Sequence, residues 1–204
     1  MRKRVLRARF LQASILALMA LVITAEGVFS MELKERTGLI LMKGKPLTLL
    51  GEELKVGGEA PEFEVIDTTM ALVKLSSFKG KILIIASVPS LDTQVCDTET
   101  RRFNKEAAGL GSDVEILTIS MDLPFAQKRW CGASGVDKVH VLSDHRKASF
   151  GASYGVLIKE LRLLARAVFV VDKEGIIRYI QIVKETASEP NYDEVFKVVR
   201  KLVG

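Results

Sequence analysis

Lys81-Ile82-Leu83-Ile84-Ile85-Ala86-Ser87-Val88 is a continuous apolar run with no alternation of polar residues. A strand with one wet face would place a polar side chain at every second position. This one is therefore expected at the centre of a sheet covered on both faces. Pro89-Ser90-Leu91-Asp92-Thr93-Gln94-Val95-Cys96 follows at once, and then a helical pattern. In that pattern Phe103, Ala107 and Leu110 fall on one face, Arg101, Arg102 and Lys105 face out, and Gly109 and Gly111 end the helix. Strand, turn and helix together put Cys96 inside the first helical turn. Free backbone N–H groups and the helix dipole favour an anion there, which is a way to make a thiolate near neutral pH.

The rest of the chain reads as a scaffold for that turn. Gly38 to Gly51 is a hairpin, two apolar runs around Lys43-Gly44-Lys45-Pro46. Gly57 to Pro61 is a loop, Phe63 to Asp67 a short strand, and Leu75 to Phe78 a helical turn. Val114 to Ser120 is the next strand. Asp122 is placed to cap a helix that has Pro124 in its first turn and runs from Phe125 to Cys131, stopping at Gly132. Lys138 to Leu142 is a strand, Ser149 to Tyr154 a short helix, Arg166 to Asp172 a strand, and Ile176 to Val183 its hairpin partner. Pro190 opens a last helix with Val195, Val198, Val199 and Leu202 on one stripe. The fold class is α/β: a central mixed sheet flanked by helices, with an N-terminal β-hairpin. A parallel start and an antiparallel finish match the thioredoxin-like fold.

Charge and cysteine count narrow the function. Residues 1–30 carry Arg2, Lys3, Arg4, Arg7 and Arg9 against Glu26, a net of about +4 out of the formal +5, so residues 31–204 hold about +1. The high pI belongs to the N-terminus and gives no support for a nucleic-acid surface. The basic stretch is followed by the apolar run from Phe10 to Ala25. Three readings fit residues 1–30: a secretory signal peptide, an uncleaved membrane anchor, or a mis-assigned extension with Met31 as the true start. The first two place the protein in the cell envelope or periplasm, and the third in the cytoplasm. The one boundary expected lies there, with residues 31–204 as a single domain. Two cysteines exclude a disulfide-dense scaffold and a four-cysteine zinc site. They leave one structural disulfide, two buried thiols or one redox pair.

Pro89, Thr93 and Cys96 form P-x-x-x-T-x-x-C at a strand-to-helix turn. With Thr37-Gly38-Leu39, Lys45 to Leu49, Leu142-Ser143-Asp144-His145-Arg146 and Leu164-Ala165-Arg166-Ala167-Val168, the chain resembles the peroxiredoxins over most of residues 37–204. The resemblance is to their thiol peroxidase subfamily, the atypical two-cysteine type. It implies that Cys96 is the peroxidatic cysteine, that Thr93 hydrogen-bonds thiolate and peroxide, and that Pro89 shields the sulfur. It implies that Arg166 favours the thiolate and binds the peroxide. It also implies that Cys131 is the resolving cysteine, forming an intrasubunit disulfide with Cys96 that thioredoxin or a thioredoxin-like donor reduces. The substrates implied are hydrogen peroxide and alkyl hydroperoxides. A homodimer is implied too, with no cofactor and no metal. Chemistry agrees. A helix N-terminus and a guanidinium are fixed donors for charge growing on a departing oxygen, and the sulfenic acid product needs a second thiol. Both cysteines sit in expected helices, so local unwinding of at least one helix end is expected during turnover.

Taken singly, each residue has a plainer reading. Cys96 and Cys131 are then core thiols, Arg166 a surface ion-pair partner and Thr93 an ordinary helix-start residue. His140 and His145 make a poor metal set, and Asp144 and Arg146 are expected to order their turn. Phe125 and Trp130 either border the pocket, favouring organic hydroperoxides, or pack in the core. Two other functions compete on the same fold. A thiol–disulfide oxidoreductase would normally carry C-x-x-C, and here position 93 is Thr. A peroxide sensor would form mixed disulfides without turnover.

Overall fold

The computed structural model describes residues 33–204; the readings of residues 1–30 lie outside the described residues. Strand β5, Ile82–Ser87, is buried along its whole length. Its side chains feed two cores. Leu83 and Ile85 join Leu117, Ile119 and Phe169 on one face, while Ile82, Ile84 and Ala86 join Ile116, Val168 and Val170 on the other. That is why the run does not alternate: both sides of the strand are dry. Each such Ile or Leu contributes roughly 1.5–3 kcal/mol of burial.

Around β5 the main sheet has the order β10-β9-β5-β6-β7-β3-β4. Here β3 is Glu64–Asp67, β4 is Leu72–Lys74, β6 is Val114–Ser120, β7 is His140–Ser143, β9 is Ala167–Val171 and β10 is Ile177–Ile182. β5, β6 and β7 run parallel, and β9 lies antiparallel against β5. The mixed thioredoxin-like sheet and its N-terminal hairpin are as expected. The hairpin is β1, Glu35–Met42, with β2, Lys45–Leu50. It forms a separate three-stranded sheet with β8, Leu157–Ile158.

Helix α1, Gln94–Ala107, and helix α4, Tyr192–Val203, cover one face through Phe103, Tyr192, Val195, Phe196 and Val199. The other face packs under the hairpin and the short helix α3, Ser149–Ser153, with Phe63, Phe150 and Tyr154 as its aromatic centre. Helix α2, Pro124–Ser134, runs through Gly132 and stops at Gly135, whose φ of 64° is left-handed. The expected stop is thus one turn early. A helical glycine costs about 1 kcal/mol relative to alanine and does not by itself break a helix. A small apolar cluster, Val88, Leu91, Cys96, Val136 and Val141, has Trp130 and Cys131 packed against it. Both cysteines therefore border one patch of core beyond the carboxyl end of β5.

Candidate active site

Thr93 is the N-cap of α1 in extended conformation, yet its side chain caps no backbone N–H. Its hydroxyl lies 2.8 Å from Cys96 Sγ and 2.9 Å from the Ser90 carbonyl oxygen. Thr93 is thus the helix-start residue, and its one hydroxyl proton is within reach of both the sulfur and the Ser90 carbonyl. Cys96 is fully buried, and the helix face that buries it continues through Glu99, Thr100 and Phe103. Pro89 is buried just after β5.

Arg166 immediately precedes β9 and is 1 % exposed, so it is not a surface ion-pair partner. Its Nη2 donates to Cys96 Sγ at 3.3 Å and to the Thr186 carbonyl at 3.1 Å, its Nε donates to the same carbonyl at 3.3 Å, and its Nη1 pairs with Glu99. Burial pushes Glu99 up to about 7, with Arg166 pulling the other way. One carboxylate oxygen of Glu99, Oε1, is buried without a partner, which is why burial prevails there. At Arg166 burial opposes the charge, and the facing Glu99 and Cys96 outweigh it and push its pKa up. The site thus presents one hydroxyl and one permanent cation to a single sulfur.

Asp122 is not the cap of α2, whose N-cap is Leu123. Its carboxylate accepts from Ser90 Oγ, from the Leu91 N–H and from Ser120 Oγ, each at 2.8 Å. That pins the loop carrying Pro89 to Thr93 onto the end of β6. Gln127 on α2 donates to Ser120 Oγ at 3.0 Å and to the Leu142 carbonyl at 2.8 Å, joining the second cysteine's helix to the same anchor. Sequence reasoning missed Glu99, Asp122 and the Thr186 carbonyl. Glu99 had a signal, being three residues after Cys96 on the buried face. Asp122 resembles a cap, and a backbone carbonyl leaves no trace in the sequence.

Cys131 lies on α2 as a half-buried free thiol, and burial pushes its pKa up. It also lines a cavity of about 450 Å³ with Phe78, Val136, Val139 and His140. The two cysteine helices are tied together beside it. Trp130 Nε1 donates to Asp97 Oδ1 at 3.0 Å, Arg101 donates to Asp97 at 2.9 Å and to the Ser134 carbonyl at 2.7 Å, and Asn104 Oδ1 accepts from the Asp137 and Lys138 amides. Trp130 is thus half-buried between helices, whereas Phe125 is 61 % exposed and is no core residue. His140 faces Glu115 at 2.9 Å, and His145 faces Ser143 Oγ at 2.9 Å. Asp144 accepts from the Phe150 and Gly151 amides and so orders its turn.

A family model described as Redoxin matches residues 55–196. The thiol peroxidase of Bacillus subtilis (strain 168) is 55 % identical over 164 residues, covering 80 % of this chain and 98 % of the relative. That of Oceanobacillus iheyensis is 54 % identical over 162 residues, covering 79 % and 98 %. The crystal structure of a peroxiredoxin-like protein from Aquifex aeolicus is similar with a TM-score of 0.76 at 46 % identity, over 82 % of this chain and 97 % of that one. The chain belongs to the redoxin family. Within it, it stands among the thiol peroxidases: it is a thiol-dependent peroxidase, an oxidoreductase of the peroxiredoxin type.

Proposed function

We propose that Cys96 is the peroxidatic cysteine of this peroxidase and Cys131 its resolving partner. The observation that carries the reading is the pair of donors on one buried sulfur, Thr93 Oγ1 at 2.8 Å and Arg166 Nη2 at 3.3 Å. The Cys96 thiolate attacks one oxygen of a hydroperoxide in line. An S–O bond forms, the O–O bond breaks, and the electron pair leaves on the second oxygen, which takes a proton from water. Arg166 and Thr93 are fixed donors for the charge that moves onto oxygen. Cys96 is left as a sulfenic acid. The Cys131 thiol then displaces that oxygen as water and closes an intrasubunit disulfide. Pro89 shields the sulfur from bulk water.

A dithiol donor, thioredoxin or a thioredoxin-like protein, returns the pair to two thiols by exchange. Hydrogen peroxide and small alkyl hydroperoxides are the substrates, and the role is antioxidant defence. The working unit is a homodimer, to which Leu123 and Phe125, both exposed beside the Cys96 loop, offer an apolar patch. Residues 1–30 set the compartment. Their basic and apolar regions are those of a signal peptide, giving an enzyme of the cell envelope fed by a thioredoxin-like donor. A start at Met31 would give a cytoplasmic enzyme using thioredoxin. Among the described residues no helix is long and apolar enough to cross a membrane. N-terminal sequencing of the fractionated native protein decides between the two compartments.

Two variants test the chemistry. Cys96→Ser is expected to abolish peroxide consumption, and wild-type turnover by that variant would end the reading. Cys131→Ser is expected to give one turnover to a trappable sulfenic acid and no cycling with thioredoxin. Unimpaired cycling would remove Cys131 from the scheme.

A further inference from the structure

The N-terminal hairpin is far from Cys96 in sequence, yet it holds one of the partners of Arg166. Leu41 of β1 donates its N–H to the Lys184 carbonyl at 2.6 Å and accepts from the Thr186 N–H at 2.9 Å. Between those two residues lies Glu185. Its carboxylate accepts from the amides of Lys43 and Gly44, at 3.2 and 3.3 Å, at the tip of the hairpin. Both tip residues are left-handed, with φ of 52° and 76°. Lys43 holds a conformation that side-chain-bearing residues seldom adopt. The Thr186 hydroxyl donates to the same carboxylate at 3.4 Å, and desolvation, which opposes its charge, is outweighed by the neighbouring backbone amides, those of Gly44 and Lys43 foremost, so the carboxyl lies below its ordinary value.

Thr186 is thus held on two sides, its N–H by the Leu41 carbonyl and its hydroxyl by Glu185. With those fixed, one soft backbone torsion is left to set the direction of its C=O. That carbonyl receives both Nε and Nη2 of Arg166. We propose that Glu185 is a positioning residue for the peroxidase reaction: it clamps the hairpin tip to Thr186 and so aims the carbonyl that orients Arg166 toward Cys96. The inference rests on Cys96 being the attacking thiol.

The peroxide step is measured alone in a Cys131→Ser background, as the rate of sulfenic acid formation with hydrogen peroxide. Glu185→Ala is expected to slow it about tenfold, the scale of a small misplacement of a charge-stabilising group. Glu185→Gln keeps the shape and an acceptor oxygen, and should fall between alanine and wild type, about threefold slow on the same grounds. Glu160→Ala is the control. The carboxylate of Glu160 takes the Thr48 amide at 3.0 Å on the other strand of the hairpin, away from Thr186, so its removal loosens the hairpin without releasing the clamp and should leave the rate at wild type. Sulfenic acid formation within twofold of wild type in Glu185→Ala, or an equal slowing in Glu160→Ala, overturns the proposal. If the alanine variant does not fold, Glu185→Gln at wild-type rate overturns it. Peroxide consumption that survives Cys96→Ser overturns the underlying reading as well.

Discussion

At the sulfur of Cys96 an O–H arrives from the same helix end and an N–H from the start of β9, so each can be removed without touching the other. Thr93→Val keeps the volume of the side chain and deletes the hydroxyl. We expect the rate of sulfenic acid formation to fall by roughly 10²–10³, as for loss of one preorganised donor, with Thr93→Ser restoring most of it. Stopped-flow mixing with hydrogen peroxide measures both, and a Thr93→Val enzyme at full speed would remove the hydroxyl from the mechanism. Glu99 gives a different signature. Its carboxyl titrates near 7 in the fold against an ordinary value of 4.5. An acid raised in this way stabilises the fold while protonated; that contribution is complete below the ordinary value and is lost as pH rises through about 7. Wild-type stability should therefore decline across that window from this group, and Glu99→Gln, neutral throughout, should decline less. Denaturant midpoints at either end of the window check it, and parallel slopes in the two proteins would refute it. Asp144, raised by burial to about 6, declines with the same sign in both proteins and cancels in the comparison.

Among the elements, the proposed scheme has Cys131 reach Cys96 by unwinding an end of α1 or α2, since both cysteines sit in helices. Beside the apolar packing, polar contacts tie the two helices: Trp130 to Asp97, and Arg101 to the Ser134 carbonyl at the end of α2, with Arg101 braced on Asp97 of its own helix and its guanidinium 5.9 Å from the Trp130 ring centre. Such contacts together are worth roughly 1 kcal/mol. Arg101→Ala should thus speed disulfide formation about fivefold and lower the share of Cys96 lost to sulfinic acid in excess peroxide. Trp130 is the chain's one tryptophan, so its fluorescence reports the opening and mass spectrometry reports the sulfinate. Unchanged resolution would mean that the contact does not gate it. The sequence shows the helices but not this contact, because Asp97 and Arg101 look like any exposed helical pair. It shows β5 and β6 well, since both are short runs rich in Val, Ile and Thr bounded by glycine or proline. It does not show β4 and β8, three and two residues long, which exist through pairing with distant strands and carry no period of their own. Gly132 reads as a stop because a glycine in a helix and one just past its end look alike in sequence. Only Gly135, with its left-handed φ, ends the ladder.

For the whole molecule, the thioredoxin-like order was legible because strand and helix patterns alternate and then give way to a hairpin, a sequence of elements few sheets accommodate. Assembly was not legible in that way. Leu123 and Phe125, 53 and 61 % exposed, stand at the start of α2 next to the residue that anchors the Cys96 loop. With the proposed dimer closing over this patch, Phe125→Glu should shift the solution mass from dimer to monomer by light scattering, with the isolated chain still folded. A dimer that survives the charge uses another face.

The groups that hold and face Cys96 come from residues as far apart as Thr93, Arg166 and, behind Arg166, Thr186. While the chain is still being made, Cys96 leaves the ribosome well before Arg166 and Thr186 exist. A nascent or translocating polypeptide then carries two ordinary cysteines, with no assembled cation or oriented carbonyl beside either. With Cys96 as the attacking thiol of the proposed scheme, peroxide reactivity is switched on by completion of the fold, so a chain exported unfolded would cross the membrane chemically quiet and acquire its reactivity only on arrival.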